Sequence, residues 1–379
     1  MKITLKNTPE QVELIKAMAS RNRNVAFEAQ TALAEFIGPV LAEVINQAPV
    51  LSNLFTTLQF NADDNPSIPL DLYFDVSDED YVKVFSQTRA GGLPTSEVLP
   101  TSSELKIATY SLDSAVSFDR RYAAKSRMDV VAKTMTRVAQ EILLKQNNIS
   151  ANVILGALNA ASTTTSDGNT KTHVIKSVQD GRFTLADLNA LITRSKRLNM
   201  SFVGGTPDKG ISRGITDIIV SPEIVEELRA IAYNPINTVN AAGGTAAGGQ
   251  ELPTADIIAE RAFNAAGAPE FYGINVIEIA EFGKGQKFQK LFTGADYLGD
   301  DGSTDFATAT DDLVLGIDRS RESLIRPVAV DSENGGEFNL IADDQYSIRQ
   351  NKIGYFGSLE EGRVVLDDRA LVGCVVEDI

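Results

Sequence analysis

One long helix constrains this chain more than any other feature of its sequence. Apolar residues before and after Ile142 recur at steps of three and four, or their sum, the period of one helical face. The stripe consists of Met128, Val131, Met135, Val138, Ile142, Ile149 and Val153. With Ser126 as N-cap and Asp129 three residues later, the spacing predicts a helix over Ser126–Ala161. At 1.5 Å per residue its length would be roughly 50 Å, more than a compact domain needs.

A polar segment before this helix has too few apolar side chains to form a core. Ser86 to Ser103 contains Gly91-Gly92, Pro94, Pro100 and seven Ser or Thr. Strands are predicted around it at Leu70–Phe74, Tyr81–Phe85, Glu104–Tyr110 and Ser114–Phe118. We interpret the segment as a two-stranded extension with a mobile tip, and a disordered surface loop is the alternative. A long helix next to an extension that cannot bury itself indicates a subunit shaped by its neighbours.

The N-terminal region is predicted to be helical and then irregular. Thr8-Pro9-Glu10-Gln11 is typical of a helix start and predicts a helix to about Ser20. A second helix is predicted over Phe27–Gln47, with a kink at Pro39. Ala48–Phe60 is apolar without helix or strand character, so we expect an arm lying along another surface.

The second half of the chain alternates between the two kinds of element. Helices are predicted from Thr184 to about Asn199 and from Ser221-Pro222 onwards, the latter directly after a strand at Ile215–Val220. A further strand is predicted at Ile274–Ile279. The last hundred residues read as strands at Lys287–Phe292, Leu313–Ile317, Ser323–Val330, Glu337–Ile341, Tyr346–Phe356 and Arg363–Val376. The fold class is therefore predicted to be α+β, with the late strands rejoining the first helix-and-hairpin region.

Composition restricts the function classes. The formal net charge is −16, which disfavours a protein that grips nucleic acid through clustered Lys and Arg. The single cysteine, Cys374, excludes an intrachain disulfide. No apolar run reaches the length of a membrane span, and the start of the sequence lacks a signal pattern, so we expect a soluble protein folded in a cytoplasm.

No catalytic constellation is visible in the sequence. The single histidine, His173, is expected to be structural, and the glycine pairs lack the spacing of a phosphate-binding loop. The run Asp300–Asp305 could hold Ca²⁺, but it lacks the alternating ligands of an EF-hand loop, and a solvated turn is the alternative. The other acidic pairs are expected in polar loops. We therefore predict no enzyme activity, no cofactor and no metal site.

Basic residues cluster at the start of the long helix, which is the unfavourable end for cations. The cluster is Arg120, Arg121, Lys125 and Arg127. Our hypothesis is that carboxylates of a neighbouring subunit neutralise it. Three cations of the predicted extension are further candidates for contact between subunits: Lys83, Arg89 and Lys106.

The order of elements resembles that of the major capsid proteins of tailed bacteriophages, with the Hong Kong 97-type fold. Tyr81–Tyr110 resembles the extended loop of that family and Ser126–Ala161 its spine helix. The run Ile215–Pro222 is similar to the strand-to-helix step of its axial domain. Arg349–Gly357, followed by Arg363-Val364-Val365-Leu366 and Arg369-Ala370-Leu371-Val372, resembles its closing strands.

The resemblance implies a domain organisation and a structural function. Copies would gather as hexamers and pentamers and close an icosahedral shell around double-stranded DNA, in a virion assembled in the host cytoplasm. A portal and a separate scaffolding protein are implied, cement proteins are an option, and the acidic wall would contact DNA weakly. The implied parts are the N-terminal helices and arm (1–65), extended loop (66–113), peripheral domain (114–200) with spine helix (126–161), axial domain (201–326) and closing strands (327–379).

Two other functions remain open from the sequence. An encapsulin-like compartment would share the fold but hold enzyme cargo instead of a genome. A calcium-binding phage tail or baseplate component, or a surface adhesin, would be argued from the Asp300–Asp305 loop. Particle size and nucleic-acid content separate these functions.

Overall fold

Helices and strands alternate along the chain in a computed structural model of the protein. The structure describes residues 8–47, 51–61, 66–69, 104–125, 128–162, 173–198, 214–233, 270–271, 273–292, 296–297, 304–330, 337–343 and 350–377. Its helices are α1 (Pro9–Met18), α2 (Arg23–Gln47), α3 (Arg120–Ala124), α4 (Met128–Ser162), α5 (Leu185–Leu198) and α6 (Pro222–Tyr233). The predicted α+β class is confirmed.

The strands of the N-terminal half are β1 (Thr56–Asn61), β2 (Ser67–Pro69), β3 (Glu104–Lys106), β4 (Thr109–Asp119) and β5 (Val174–Lys176). The central part contributes β6 (Asp217–Val220), β7 (Glu270–Phe271), β8 (Ile274–Glu278), β9 (Asp296–Tyr297) and β10 (Thr304–Asp305). The last strands are β11 (Asp312–Ile317), β12 (Leu324–Val330), β13 (Asn339–Asp343), β14 (Lys352–Gly362), β15 (Val364–Val365) and β16 (Leu371–Val376).

The chain divides into two compact units. The first comprises Met1–Leu70, Ser103–Ser150 and Leu324–Val364. The second comprises Ala151–Ser323 and Val365–Ile379, together with Asp71–Ser102, which lies outside the described residues. Each unit has its own sheet and its own apolar core.

The first unit is built on a sheet that joins early and late parts of the chain. Its strands run in the order β1, β12, β14 and β13, and β4 pairs with β14 in an antiparallel register from Lys352–Asp119 to Gly362–Thr109. Helices α1 and α2, with the first part of α4, supply apolar side chains such as Leu41 and Met135 to the core of this unit, which also holds Tyr355 of β14. The prediction that late strands rejoin the first region is therefore confirmed.

The second unit contains a mixed sheet in the order β5, β16, β11, β6, β8 and β7. Its core gathers the apolar faces of α5 and α6, including Leu188, Leu191 and Val225, and strand residues such as Val314 and Cys374. The predicted strand-to-helix step is confirmed as β6 and α6. The predicted capped helix is confirmed as α5, where Asp187 accepts hydrogen bonds from the amide and hydroxyl of Thr184.

The predicted long helix is confirmed as α4, and its buried stripe differs from the prediction in its second half. Val131, Met135, Val138 and Ile142 are buried, whereas Ile149 and Val153 are only partly buried. The buried positions there are Gln146, Ser150, Ala151, Ile154, Leu155 and Leu158. A step of four residues advances 40° further than one turn, so the row from Ile142 to Leu158 rotates gradually around the helix. Ser126, the predicted N-cap, lies outside the described residues.

Several predicted elements are wrong in kind or extent. The predicted strands Glu104–Tyr110 and Ser114–Phe118 are instead a short β3 and one continuous β4. Ala48–Phe60 was expected to lack regular structure, but its described part forms a 3₁₀ turn at Leu51–Leu54 and strand β1, which pairs in parallel with β12. Lys287–Phe292 forms a 3₁₀ turn instead of a strand, with Phe288 and Phe292 buried. Arg363–Val376 is not one strand, because a 3₁₀ turn at Asp368–Ala370, capped by Asp367, interrupts it.

Helix α2 begins four residues before its predicted start. Its first turn follows Asn22, whose Oδ1 accepts a hydrogen bond from the Asn24 amide at 3.2 Å. Pro39 lies inside the helix, as predicted. The predicted hairpin strands Leu70–Phe74 and Tyr81–Phe85 lie outside the described residues.

Candidate functional site

Strands β2 and β3 pair with each other and bring together the two ends of residues 70–103, which include the polar segment Ser86–Ser103. Their antiparallel register places Ile68 opposite Leu105, and the Ile107 amide donates to the Pro66 carbonyl oxygen at 3.0 Å. Ile68 and Ile107 are buried, while Lys106 is exposed. The chain therefore leaves this pair of strands and returns to it at one place.

Arg120 and Arg121, predicted to lie near the start of the long helix, belong to the separate short helix α3. Asp119 caps this helix by accepting a hydrogen bond from the Arg121 amide at 2.9 Å. The guanidinium of Arg120 turns to the end of α1, where Nε and Nη2 donate to the Ala19 carbonyl oxygen at 3.3 and 3.1 Å. Cations are favoured at a helix C-terminus, so Arg120 stabilises α1 within its own chain.

The other predicted contact residues divide into exposed and undescribed ones. Arg121, Lys125 and Lys106 are exposed, and none of them forms an ion pair within the described part of the chain. The structure thus brings Arg120, Arg121 and Lys125 together on one short segment. Lys83, Arg89 and Arg127 lie outside the described residues.

Sequence reasoning missed a buried ionic network in the first unit. Glu361 of β14, 0% exposed, lies between two arginines. Its Oε2 accepts from Arg326 Nε at 2.8 Å and its Oε1 from Arg363 Nη1 at 2.6 Å. Gln146 of α4 donates from Nε2 to Oε2 of the same carboxylate at 3.0 Å. Removing a buried charge from such a group leaves its partners unpaired, which is costly.

The same network includes Tyr110 of β4 and Ser52 of the 3₁₀ turn that precedes β1. The Tyr110 hydroxyl of β4 donates to Glu361 Oε1 at 3.0 Å and also contacts Arg363. Arg363 Nη2 donates to Ser52 Oγ at 2.8 Å, and its guanidinium lies 5.9 Å from the centre of the Phe55 ring. Burial raises the pKa of Tyr110 above its usual value, Arg363 opposes this, and Glu361 adds to it. Tyr110 therefore remains a neutral donor.

This network ties four separate parts of the first unit to one carboxylate. No motif announces it, because its members are spread from Ser52 to Arg363 and each is an ordinary polar residue in the sequence. The only available signal was the pair Glu360-Glu361 inside an otherwise strand-like run. The network therefore fixes β4, the strand that follows β3, to the rest of the first unit.

Apolar side chains are exposed at several places on α2 and on the sheet of the first unit. Phe36 and Val40 on α2 are 57% and 38% exposed. On the sheet, Ile341 pairs with Phe356, which in turn pairs with Ala115, so these three residues form a row across β13, β14 and β4. Ile341 is 51% exposed.

The second unit buries acidic residues that were expected in polar loops. Asp311 and Asp312 are 3% and 1% exposed, so that expectation is wrong for this pair. Asp312 Oδ2 accepts from Ser221 Oγ at 2.5 Å, and Asp311 Oδ2 accepts from the Ala307 amide at 2.8 Å. Burial raises the pKa of Asp312, and the hydrogen bonds from Ser221 and Leu313 oppose this shift. These contacts close the turn before β11.

The single histidine and the single cysteine are both buried in the second unit. His173 is buried, with Nδ1 2.9 Å from the Leu371 carbonyl oxygen. Cys374 is buried in strand β16, and burial raises the pKa of its thiol well above the usual value. Among the described residues, no group of three or more His, Cys, Asp or Glu side chains has a metal-binding arrangement. Within the same residues, no helix is both long and apolar enough to cross a membrane.

No protein-family model and no curated protein matches the chain. Solved structures resemble it instead. The capsid structure of the cyanophage P-SCSP1u matches with 13% identity over 88% of this chain and 89% of that one, at a TM-score of 0.48. The mature capsid of bacteriophage PhiM1 matches with 11% identity over 86% of both chains, at 0.46.

A compartment protein matches at a similar level. The holo-SrpI encapsulin complex from Synechococcus elongatus PCC 7942 has 11% identity over 86% of this chain and 87% of that one, at a TM-score of 0.44. The resemblance to phage capsid proteins predicted from the order of elements is confirmed as a structural resemblance.

Proposed function

We propose that the chain is the major capsid protein of a tailed phage, whose copies assemble as hexamers and pentamers into an icosahedral shell around double-stranded DNA. The observation that carries the proposal is the antiparallel pairing of β2 with β3, which brings the two ends of residues 70–103 together. Assembly would take place in the host cytoplasm, with a portal and a separate scaffolding protein. The protein acts as structural material and not as an enzyme.

The composition of the segment that starts and ends at this pair of strands argues for a partner. Residues 70–103 are held at both ends, and their middle part, Ser86–Ser103, has only four apolar residues among eighteen. Ordering such a segment costs conformational entropy that its own contacts do not recover. Surface buried against a second copy supplies the missing stabilisation, as in other assemblies stable only above a threshold concentration.

The buried network supports the proposal because it holds the strand that follows this segment rigidly in place. Tyr110 of β4 and Ser52 before β1 are both bonded to the Glu361–Arg363 pair. A loop that grips a neighbouring copy transmits load to its own base, and a network of charge-assisted hydrogen bonds resists that load. Many modest contacts of this kind, repeated around a shell, would give a stable particle through multivalency.

Electrostatics argues for contacts between copies through α3. Arg121 and Lys125 carry exposed positive charge in a chain whose net charge is −16. Carboxylates are abundant on every neighbouring copy, so complementary contacts through these two residues are readily formed. Such contacts would orient copies more than they would hold them.

The test is the assembly state of the purified full chain. Size-exclusion chromatography and negative-stain electron microscopy should reveal closed or partial shells with fivefold and sixfold clusters. Monomers or rods would contradict the proposal. Nuclease-protected double-stranded DNA within particles made during infection supports the phage role, whereas copurifying enzyme cargo and no genome would assign the chain to an encapsulin-like compartment.

A loop replacement makes the test specific. Replacing residues 70–103 by a short Gly-Asn-Gly connection keeps the pairing of Ile68 with Leu105. This variant should retain the far-ultraviolet circular dichroism expected for the remaining chain but should not form shells. The control replaces another polar segment of the sequence, residues 163 to 172, with a Gly/Ser linker of equal length, and should assemble normally.

A further inference from the structure

A cavity of about 140 Å³ opens beside the turn between α1 and α2 in the first unit. The residues that line it are Met18, Arg21, Arg23, Ala26, Phe27, Gln30, Arg120 and Ile353. We propose that this cavity binds the carboxylate of an Asp or Glu side chain from a second copy of the chain. The inference rests on the proposed function for the source of the carboxylate, but not for the chemistry of the cavity.

Positive charge gathers at the wall of the cavity. Arg21, Arg23 and Arg120 lie at its wall, and the N-terminus of α2 begins at the same turn, with no acidic residue in the first turn of that helix. A helix N-terminus attracts anions and disfavours cations. Arg21 forms no ion pair within the described residues, and Arg23, which has an interaction of its own, adds charge to the site.

Gln30 adds a polar residue to the lining of the cavity, and the residue is 3% exposed. A hydrogen bond to a charged group contributes more than one between neutral groups. A bound oxyanion would accept such a hydrogen bond from Gln30 Nε2. A cavity needs only about 10–15 Å³ to hold one water molecule, so this one has room for a ligand.

Arg120 has donors to spare for the same ligand. A guanidinium carries five N–H donors in a planar fork, and the Ala19 carbonyl takes one from Nε and one from Nη2. The contact with Ala19 also fixes the orientation of the fork. A planar carboxylate matches a fixed guanidinium in a bidentate manner, which is the stronger kind of ion pair.

The remaining lining favours a protein side chain over a nucleic-acid phosphate. Met18, Phe27 and Ile353 present apolar surface to the cavity. The methylene stem of Asp or Glu is apolar and packs against such surface, whereas a DNA phosphate carries polar sugar and water with it. The strongly negative net charge also makes other copies a rich source of carboxylates and the shell a poor ligand for DNA.

The first experiment probes the chemistry of the cavity in unassembled protein. Sodium acetate, compared with sodium chloride at equal ionic strength, should raise the melting temperature in a saturable manner. The Gln30→Leu variant should bind acetate about tenfold more weakly, since one hydrogen bond to a charged group is lost. No difference between acetate and chloride, or equal acetate binding by this variant, would overturn the proposal.

The second experiment identifies the occupant in the assembled particle. A benzoylphenylalanine photo-crosslinker replaces Phe27, which is 42% exposed at the cavity. Shells assembled from a mixture of isotopically light and heavy chains should yield crosslinked peptides of mixed label that contain Asp or Glu near the linkage. Crosslinks confined to one copy, or to nucleic acid, would contradict a second copy as the source.

Charge variants separate this proposal from the proposed function. Arg21→Glu should raise the protein concentration needed for assembly by about tenfold, while Lys133→Glu, a reversal at an exposed residue of α4 that does not line the cavity, should leave it unchanged. Wild-type shells with no effect of Arg21→Glu would sink the cavity proposal alone. A wild-type chain that never assembles would overturn both the shell function and the second-copy occupant, and the acetate experiment would still decide what the cavity binds.

Discussion

Arg326 donates from Nε to Oε2 of Glu361 at 2.8 Å, with side-chain exposures of 3% and 0%. This pair joins β12 to β14 at the side of the sheet where Arg363 and Gln146 reach the same carboxylate. Two guanidinium groups therefore share one buried acid, and Arg326 has a further interaction besides. Glu361 is consequently a position where substitution should be costly.

We expect Glu361→Gln to destabilise the first unit by about 3–5 kcal/mol, because it removes the buried negative charge that Arg326 and Arg363 share. Equilibrium unfolding of unassembled protein in urea, followed by far-ultraviolet circular dichroism, measures the loss. The matched control is Glu360→Gln, since Glu360 is partly exposed and its contact with the Thr109 hydroxyl survives in the amide. Equal losses in the two variants would refute the dependence on Glu361.

The buried carboxyl of Asp312 predicts a pH dependence in the second unit. Burial raises its folded-state pKa, so the neutral form is favoured in the folded protein. Its contribution to stability is fully present below the unfolded-state pKa of about 3.9 and is lost as pH rises through the raised folded value. In Asp312→Asn this contribution is absent, so the urea midpoint of the wild type relative to the variant should fall between pH 4 and pH 7. A constant difference would contradict the prediction.

Two glycine replacements should have opposite effects. At Gly357 an added Cβ would overlap the ring of Phe338, so Gly357→Ala should cost about 1–3 kcal/mol. At Gly156, within helix α4, nothing lies within 4 Å of an added Cβ, so Gly156→Ala should stabilise by about 0.5–1 kcal/mol. Thermal unfolding compares both with the wild type. The Gly357→Ala loss should shrink in a Phe338→Leu background, and its persistence there would assign the loss to another cause.

Charge reversal on α3 should impair assembly without affecting the fold. The double variant Arg121→Glu and Lys125→Glu changes two exposed residues without ion pairs in the described part of the chain. Light scattering should show a raised threshold concentration for shells, because repulsion replaces attraction to neighbouring carboxylates. Lys133→Glu on the exposed side of α4 serves as a control. Normal particles from the double variant would remove α3 from the contacts between copies.

The same change at Arg120 would not be a clean test. Its guanidinium holds the Ala19 carbonyl at the end of α1. Arg120→Glu would therefore alter the fold of the first unit as well as any contact between copies. Reversal at Arg121 and Lys125 alone avoids this effect on the fold.

Elements that local sequence determines were predicted well. Helix α4 and the β6–α6 step follow from periodicity and from capping residues such as Ser221 and Pro222, which act within a few residues. Strand β1 was missed because its regular structure comes from parallel pairing with β12, far along the chain. The turn at Asp368–Ala370 was missed because a single Asp367 cap, inside a strongly apolar run, decides it.

The candidate site was predictable only in part. The basic residues of α3 were visible as a cluster, but the intrachain role of Arg120 depends on where α1 ends. The Glu361 network and the cavity beside Gln30 combine residues that lie far apart in the sequence. Periodicity and spacing carry no information on such combinations, since tertiary packing creates them.

The pairing of β2 with β3 has a consequence for how such a chain can change over time. Neighbouring strands lie about 4.8 Å apart, so any insert whose two ends lie that close can be attached at Ile68 and Leu105 without moving the sheet or the helices. Length and composition between these attachment points are then free to vary with the partner that the insert meets. The first unit and the segment inserted in it can in this way diverge in sequence at different rates within one protein.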